Sequence, residues 1–365
     1  MRIAHLVGHM ALNGVATSSF TLANEQVKAG HAVMLVCPEG SWLAAQSYDP
    51  RIELITSSFK AVPSEIRRVG YIIRDWNGDL AHCHGSKANK FGMVFRFASG
   101  FPAVMTAHSR KFQLPWMAAH IVIAPSQDTA DFYVKRLLAR RKSIRVISNM
   151  FPVEQIEPAN AAARLKPRAQ LGIAADAFVI GAVGHLEERK NQAAMQRLTQ
   201  RLAGDGLPVR LLLIGNYPEN PLPHEKPVFE GFRADPLVVL THQRNDVADL
   251  LPAFDVFLML SFREEGPIAP LEAMAREIPT ISYLVGNMSD ITPPDLLFEQ
   301  GDEEGVYQCL KRLFNDPDLR LRAGSACRAK VARHLAPSVI LPQIEAAYQA
   351  AIAKSSFVPP VKPVA

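Results

Sequence analysis

Three carboxylates, Glu264, Glu265 and Glu272, surround the Gly266-Pro267 loop of "SFREEGPIAPLEAMAREIPTISY" (Ser261–Tyr283). The run "FDVFLML" before it is apolar, so the stretch reads as a strand end, a loop and the first turn of a helix. A helix start offers unpaired backbone N–H groups and the positive end of a dipole, which suit an anion. A carboxylate only accepts hydrogen bonds and can take two hydroxyls at once, as a cis-diol presents them. The plainer role for Glu272 is that of a helix-start acid favoured by the dipole. Lys190, in "EERKN", is a cation suited to phosphate, or else a solvated surface lysine. His82 and His84 end the run "DLAHCH", and alternation along a strand puts both on one face. A metal held by that pair would need a third ligand, and the flanking sequence supplies none. His108 closes a further strand, "AVMTAH".

Chemistry placed at strand ends needs a sheet to hold it. Residues 1–150 alternate apolar strand-like runs ("RIAHLV", "HAVMLVC", "RIELI", "DLAHCH", "AVMTAH", "HIVIAP", "IRVISN") with the helical "TSSFTLANEQVKAG" and "SEIRRVGYIIRDWNG". Mostly apolar strands alternating with helices predict a parallel sheet covered on both faces. The pattern restarts after a Pro-rich stretch. Strands "FVIGAVG", "VRLLLIG", "LVVLT", "DVFLMLS" and "PTISYL" alternate with the helical "NQAAMQRLTQRLAGDG", "DVADLLPAF" and a helix from Pro270. Two helical runs follow, "EEGVYQCLKRLFNDPDLRLRAGSACRAKVARHL" and "PSVILPQIEAAYQAAIA". The expected organisation is therefore a first domain over residues 1–152, completed by a C-terminal helix near 340–356. A linker covers 153–175, a second domain 176–339, and a Pro-rich tail 357–365. Ligands of open α/β sheets bind beyond the carboxyl ends of the strands, where the three acids fall.

The chain has 365 residues and an ordinary apolar content of 48%. Its net charge of +5 conceals an asymmetry, with 18 Lys+Arg against 9 Asp+Glu in residues 1–150 and 22 against 26 beyond them. A basic first half points to an anionic partner such as a membrane surface or an acidic substrate. No zinc finger, helix-turn-helix or aromatic-interleaved basic motif is present, which argues against nucleic acid. Cys37, Cys83, Cys309 and Cys327 are scattered, with no Cys-x-x-Cys pair, and read as reduced core thiols. No apolar run approaches the ~20 residues needed to cross a bilayer. "MRIAHLVGHM" reads as a first strand, so the expected location is cytoplasmic.

The run "FREEGPIAPLEAMAREIPTISYLVGN" resembles the Glu-x7-Glu region of glycosyltransferase family 4, with Glu264 and Glu272 at the matching spacing. Further similarities follow in order along nearly the whole chain: "NGVATSSFTLANEQVKAGHAVML", "DLAHCHG", "VMTAHS", "IAPSQ", "IRVISN", "GAVGHLEERKN" and "LLLIGN". The sequence departs from the family pattern at Asn13, where a second glycine is common, at His185, where arginine is usual, and at Asn191, which replaces the glycine after the lysine.

The resemblance implies the GT-B fold, two doubly wound Rossmann-like domains facing across a cleft. It also implies a retaining transferase that uses a UDP- or GDP-sugar without a metal ion or other cofactor. On this reading Lys190 offsets charge on the donor diphosphate, with His185 able to donate a hydrogen bond beside it. Glu264 meets the sugar hydroxyls and Glu272 accepts from the ribose hydroxyls. The backbone at Gly14, Gly184, Gly266, Ile268 and Ala269 lies against sugar and phosphate. His108 contacts the donor sugar, while His84 and Lys87 meet the acceptor, a glycan or lipid-linked hydroxyl of polysaccharide or lipopolysaccharide synthesis. A non-catalytic nucleotide-sugar binder and a nucleotide-sugar epimerase are the competing readings. In "SEIRRVGYIIRDWNG" the arginines Arg67, Arg68 and Arg74 lie off the stripe formed by Ile66, Val69, Ile72 and Ile73. With Lys135, Arg136, Arg140, Arg141 and Lys142 they suit peripheral attachment to the inner face of the cytoplasmic membrane.

Overall fold

The structure is a computed structural model that describes residues 1–136, 138–216, 226–242 and 244–357. It divides into two compact units, Met1–Phe151 with the chain from Pro337, and Pro152–Ala336.

Among the described residues the first unit holds seven strands: β1 (Arg2–Val7), β2 (Ala32–Cys37), β3 (Ile52–Thr56), β4 (Leu80–His84), β5 (Ala103–Thr106), β6 (Ile121–Ala124) and β7 (Ile144–Val146). Their order is β3-β2-β1-β4-β5-β6-β7, and every pairing is parallel. Four helices connect them: α1 (Gly14–Lys28), α2 (Pro63–Asp75), α3 (Ser86–Ser99) and α4 (Gln127–Lys135). Alternation along the strands feeds two cores. Ala4, Leu6, Met34, Val36, Ala81 and Cys83 pack with α2 and α3 residues such as Ile66, Val69, Phe91 and Phe95. The opposite set, Val7, Val33, Leu35 and Cys37, packs with Ala16, Ala23 and Val27 of α1. His5, between Ala4 and Leu6 in sequence, therefore sits on the α1 face. Register sets it beside His82, and Val7 beside His84.

The second unit begins with α5 (Ala161–Gln170). It continues through β8 (Phe178–Val183), α6 (Gln192–Gly204), β9 (Val209–Ile214), α7 (Lys226–Ala234), β10 (Val238–Thr241), α8 (Val247–Leu250) and β11 (Val256–Met259). Then follow α9 (Ala269–Ala275), β12 (Thr280–Tyr283), α10 (Met288–Ile291), β13 (Leu297–Phe298), α11 (Glu303–Asn315) and α12 (Pro317–Leu335). The sheet is parallel in the order β10-β9-β8-β11-β12-β13. The last helix, α13 (Pro337–Ala353), packs in the first unit against β5, β6 and α1.

Two expectations are corrected here. Residues 153–175 are packed structure of the second unit and not a free linker. Arg168 on α5 is 3% exposed and spans the space to Asp255, which it meets at 2.7 Å. Asp255 also takes Arg164 and accepts from the Val179 N–H at 2.7 Å, tying α5 to the base of β8 and β11. The run from Glu303 to Leu335 is two helices. Asp316 ends one and caps the next, its side chain accepting from the Leu319 N–H at 2.8 Å, and Pro317 takes the first helical position. Of the Pro-rich tail, Phe357 packs on Phe101 with ring centroids 4.9 Å apart; residues 358–365 lie outside the described residues.

Candidate functional site

In the second unit the loop after β8 and the loop after β11 meet. Gly184 follows β8 at φ +145°, and Gly215 follows β9 at φ +157°. A Cβ on Gly215 would sit 2.0 Å from the Gly184 carbonyl oxygen, so only glycine lets the two strand ends approach this closely. Released from β8, the chain makes a single 3-10 turn, Glu188–Lys190, and then bends at Asn191, which adopts φ 57°. Asparagine tolerates this left-handed conformation better than other side chains, so it performs the turn for which glycine is the default.

That turn delivers two cations to one carboxylate. The Lys190 ammonium and the Arg189 guanidinium both donate to Glu264 Oε1, the second at 3.2 Å. Arg189 also donates to the Arg263 carbonyl at 3.0 Å and pairs with Glu187 at 2.7 Å. Glu264 is 5% exposed, so its charge depends on these partners. His185, expected beside Lys190 as a hydrogen-bond donor, is exposed. Arg189, not singled out in the sequence, takes the paired position.

Gly266 and Ile268 lead into α9 at Ala269, where Pro270 has no N–H and the Leu271 N–H donates to the Ile268 carbonyl at 2.9 Å. Glu272 lies in the first turn of α9, its own N–H bonded to the Ile268 carbonyl at 3.1 Å. Desolvation pushes its carboxyl up to about 7, against the pull of Arg276. A carboxyl on that balance is neutral in acid and charged just above neutrality.

The first unit gathers a different set. Asn13 is extended (φ −162°) and caps α1, its side-chain oxygen accepting from the Val15 and Ala16 N–H groups at 3.0 Å each. The departure from a glycine pair is therefore a working N-cap, with Gly14 exposed as the first helical residue. The amide nitrogen of Asn13 lies 3.2 Å from His9 Nδ1. His9 packs so closely against Gly85 that a Cβ there would stand 2.5 Å from His9 Nε2. Lys87 is exposed just beyond.

His108 lies just beyond β5 with its Nε2 3.1 Å from His84 Nδ1, and His84 Nε2 is 3.1 Å from His5 Nδ1. The expectation that His84 meets an acceptor is corrected: it is 2% exposed and both ring nitrogens are engaged, so only His108 of this pair reaches solvent. His5 is the third histidine that the sequence reading lacked. Ligand atoms of His5, His82 and His84 lie within 4.8 Å of one another, a spacing that could hold an ion. Those ring nitrogens already have hydrogen-bond partners, His82 through Tyr348 and Thr106 at 2.7 Å each. Burial holds all four imidazoles neutral, His5 at about 4, His108 at about 3, and His82 and His84 well below the usual range.

Comparison with known proteins matches both units. Residues 12–155 fit the model of Glycosyltransferase Family 4, and residues 177–316 that of Glycosyl transferases group 1. An Escherichia coli UDP-Gal:alpha-D-GlcNAc-diphosphoundecaprenol alpha-1,3-galactosyltransferase is 24% identical over 91% of this chain and 92% of its own. The LpsE lipopolysaccharide core biosynthesis glycosyltransferase of Rhizobium meliloti is 29% identical over 51% of this chain and 52% of its own. Anabaena HepE in complex with UDP superimposes with a TM-score of 0.77 at 18% identity, covering 96% of this chain and all of the other. Sucrose-phosphate synthase from Thermosynechococcus elongatus gives 0.78 at 19% identity, over 97% of this chain and all of its own. At these identities the structural likeness establishes the two-domain GT-B fold. Among the described residues no helix is long and apolar enough to cross a membrane.

Proposed function

Because the chain belongs to the family 4 glycosyltransferases, we propose that it moves a hexose from a UDP- or GDP-sugar to a glycan or lipid-linked hydroxyl, retaining configuration and using no metal ion. The observation that carries this reading is the convergence of Lys190 and Arg189 on Glu264 beside the start of α9. Two cations in a partly desolvated loop are suited to the negative charge that grows on a departing diphosphate, the task a metal ion performs elsewhere. Glu264 then positions the cations and, on the exchange of partners, sugar hydroxyls. Glu272, ionised above neutrality, accepts from a ribose diol. In the step itself the bond from the anomeric carbon to the diphosphate oxygen breaks. The acceptor oxygen bonds to that carbon on the same face, and its proton passes to the leaving phosphate.

A lipid-linked acceptor is favoured by the substrates in the name of the Escherichia coli relative and by the first unit's surface. Arg67 and Arg74 of α2 flank an apolar groove of about 630 Å³ lined by Ile66, Tyr71, Phe95 and Phe101. Lys135, Arg136, Arg140, Arg141 and Lys142 are exposed on the same unit. Such a surface fits the inner, anionic leaflet of the cytoplasmic membrane.

A thermal-shift panel of nucleotide sugars identifies the donor, since a ligand at 100 times its Kd adds about 2.7 kcal/mol. Transfer from that donor to a membrane glycolipid extract should proceed unchanged in EDTA. Loss of transfer restored by magnesium or manganese would overturn the metal-free step, and donor binding without transfer would leave a sugar-nucleotide binder.

A further inference from the structure

The buried polar groups on the α1 face of the first sheet all lead back to one side chain, Gln26. It is fully buried on α1, and its amide makes two hydrogen bonds in different directions. The amide oxygen lies 2.6 Å from His5 Nε2, and the amide nitrogen donates to the Tyr348 hydroxyl at 2.9 Å. An amide oxygen can only accept, so His5 carries its proton on Nε2. A neutral imidazole has one donor and one acceptor. His5 Nδ1 is therefore the acceptor in its 3.1 Å contact with His84 Nε2, which must donate. The same rule passes along the chain: His84 Nδ1 accepts from His108 Nε2 at 3.1 Å. His108 is left with an unprotonated Nδ1, which has no partner among the described residues.

The other branch obeys the same bookkeeping of protons. Tyr348 accepts from Gln26 and so donates to His82 Nδ1 at 2.7 Å, and His82 Nε2 donates to Thr106 Oγ1 at 2.7 Å. Turning the Gln26 amide over would reverse every donor and acceptor in both branches. One buried amide thus decides which nitrogen of a partly exposed histidine bears the proton, three hydrogen bonds away.

We propose that Gln26 is a positioning residue which, through His5 and His84, fixes His108 as a hydrogen-bond acceptor for a substrate hydroxyl. The tautomer follows from the orientation of the Gln26 amide, with its oxygen toward His5; the substrate hydroxyl rests on the glycosyltransferase reading. A sugar hydroxyl that donates to Nδ1 is held in one orientation, whereas an N–H at that position would favour a hydroxyl or carbonyl as acceptor. The spine of neutral rings costs nothing in charge desolvation, and it stays rigid because His5 and His84 are each fixed at both ring nitrogens.

The test is a long-range proton–nitrogen correlation spectrum of nitrogen-15-labelled protein at neutral pH, which separates protonated from bare imidazole nitrogens. His108 should show Nε2 protonated and Nδ1 bare, with His5 and His84 alike. Gln26→Met, which removes the amide, and Tyr348→Phe, which unpins it, should each bring the second His108 tautomer into view. With tautomers mixed, kcat should fall by about tenfold while KM for the donor changes by less than about threefold, as for the loss of one oriented hydrogen bond. A parent protein with His108 protonated on Nδ1, or a tautomer unmoved in both variants, overturns the relay. A tautomer that shifts while turnover holds overturns instead the contact between His108 and substrate.

Discussion

Lys190 donates to Glu264 across 74 residues of sequence, joining the loop after β8 to the loop after β11. Arg189 shares the same oxygen, so removal of either cation still leaves the other on the carboxylate. This redundancy lets each cation be tested by mutation without stranding a buried charge, which would otherwise cost about 3–5 kcal/mol.

Glu272 gives the site a pH dependence of known sign. Its carboxyl stands at about 7 in the folded protein against 4.5 for the free group. Between those values the folded state holds a proton that the unfolded chain has released. The stability present below about 4.5 is therefore lost as pH rises through about 7. Melting curves at pH 5 and pH 8 should show that loss in the parent and a smaller one in Glu272→Gln. Nucleotide affinity should rise across the same interval in the parent only, because the ribose diol needs the ionised form. Identical pH profiles for parent and variant would refute the assignment.

Asp255 anchors the segment that the sequence disguised as a linker. Asp255→Asn removes the charge opposite Arg168, both side chains being 4% exposed, and should cost about 3–5 kcal/mol in urea unfolding. A change under about 1 kcal/mol would mean that α5 is held by other contacts.

How much of this could be read beforehand depends on how local each signal is. Glu264 and Glu272 lie eight positions apart on one strand–loop–helix, so their partnership is visible as spacing. The parallel sheets are visible as apolar runs such as "VRLLLIG". The helix α3 escaped because Gly92 interrupts its pattern. That glycine packs against β4, where a Cβ would stand 2.7 Å from Cys83 Sγ. The segment 153–175 carries Pro167 inside a helix, a breaker in sequence terms, and its anchor Asp255 lies 87 residues beyond Arg168. His5 joins His82 and His84 only through the pairing of β1 with β4. Gln26 and Tyr348 meet across 322 residues, a closure that no local pattern announces.

The α2 surface should bind membranes by charge. Arg67 and Arg74 are exposed beside the apolar groove, and each basic residue near an anionic bilayer contributes about 1 kcal/mol. The protein should sediment with anionic vesicles and not with neutral ones, and less so as salt rises. The pair Arg67→Glu and Arg74→Glu should release it. Equal binding to both vesicle types, or to neither, would leave these arginines as ordinary solubilising charge.

Stabilisation of the departing diphosphate by Lys190 is measured by the steady-state kinetics of Lys190→Ala. Arg189 still pairs with Glu264 in that variant, so the loop keeps its anchor. The expected result is a kcat lowered by about 10²–10³, with KM for the nucleotide sugar changed by only a few-fold, as for loss of a group that acts in the transition state. An unchanged kcat with a raised KM would contradict the account, leaving Lys190 as a contact of the bound ground state.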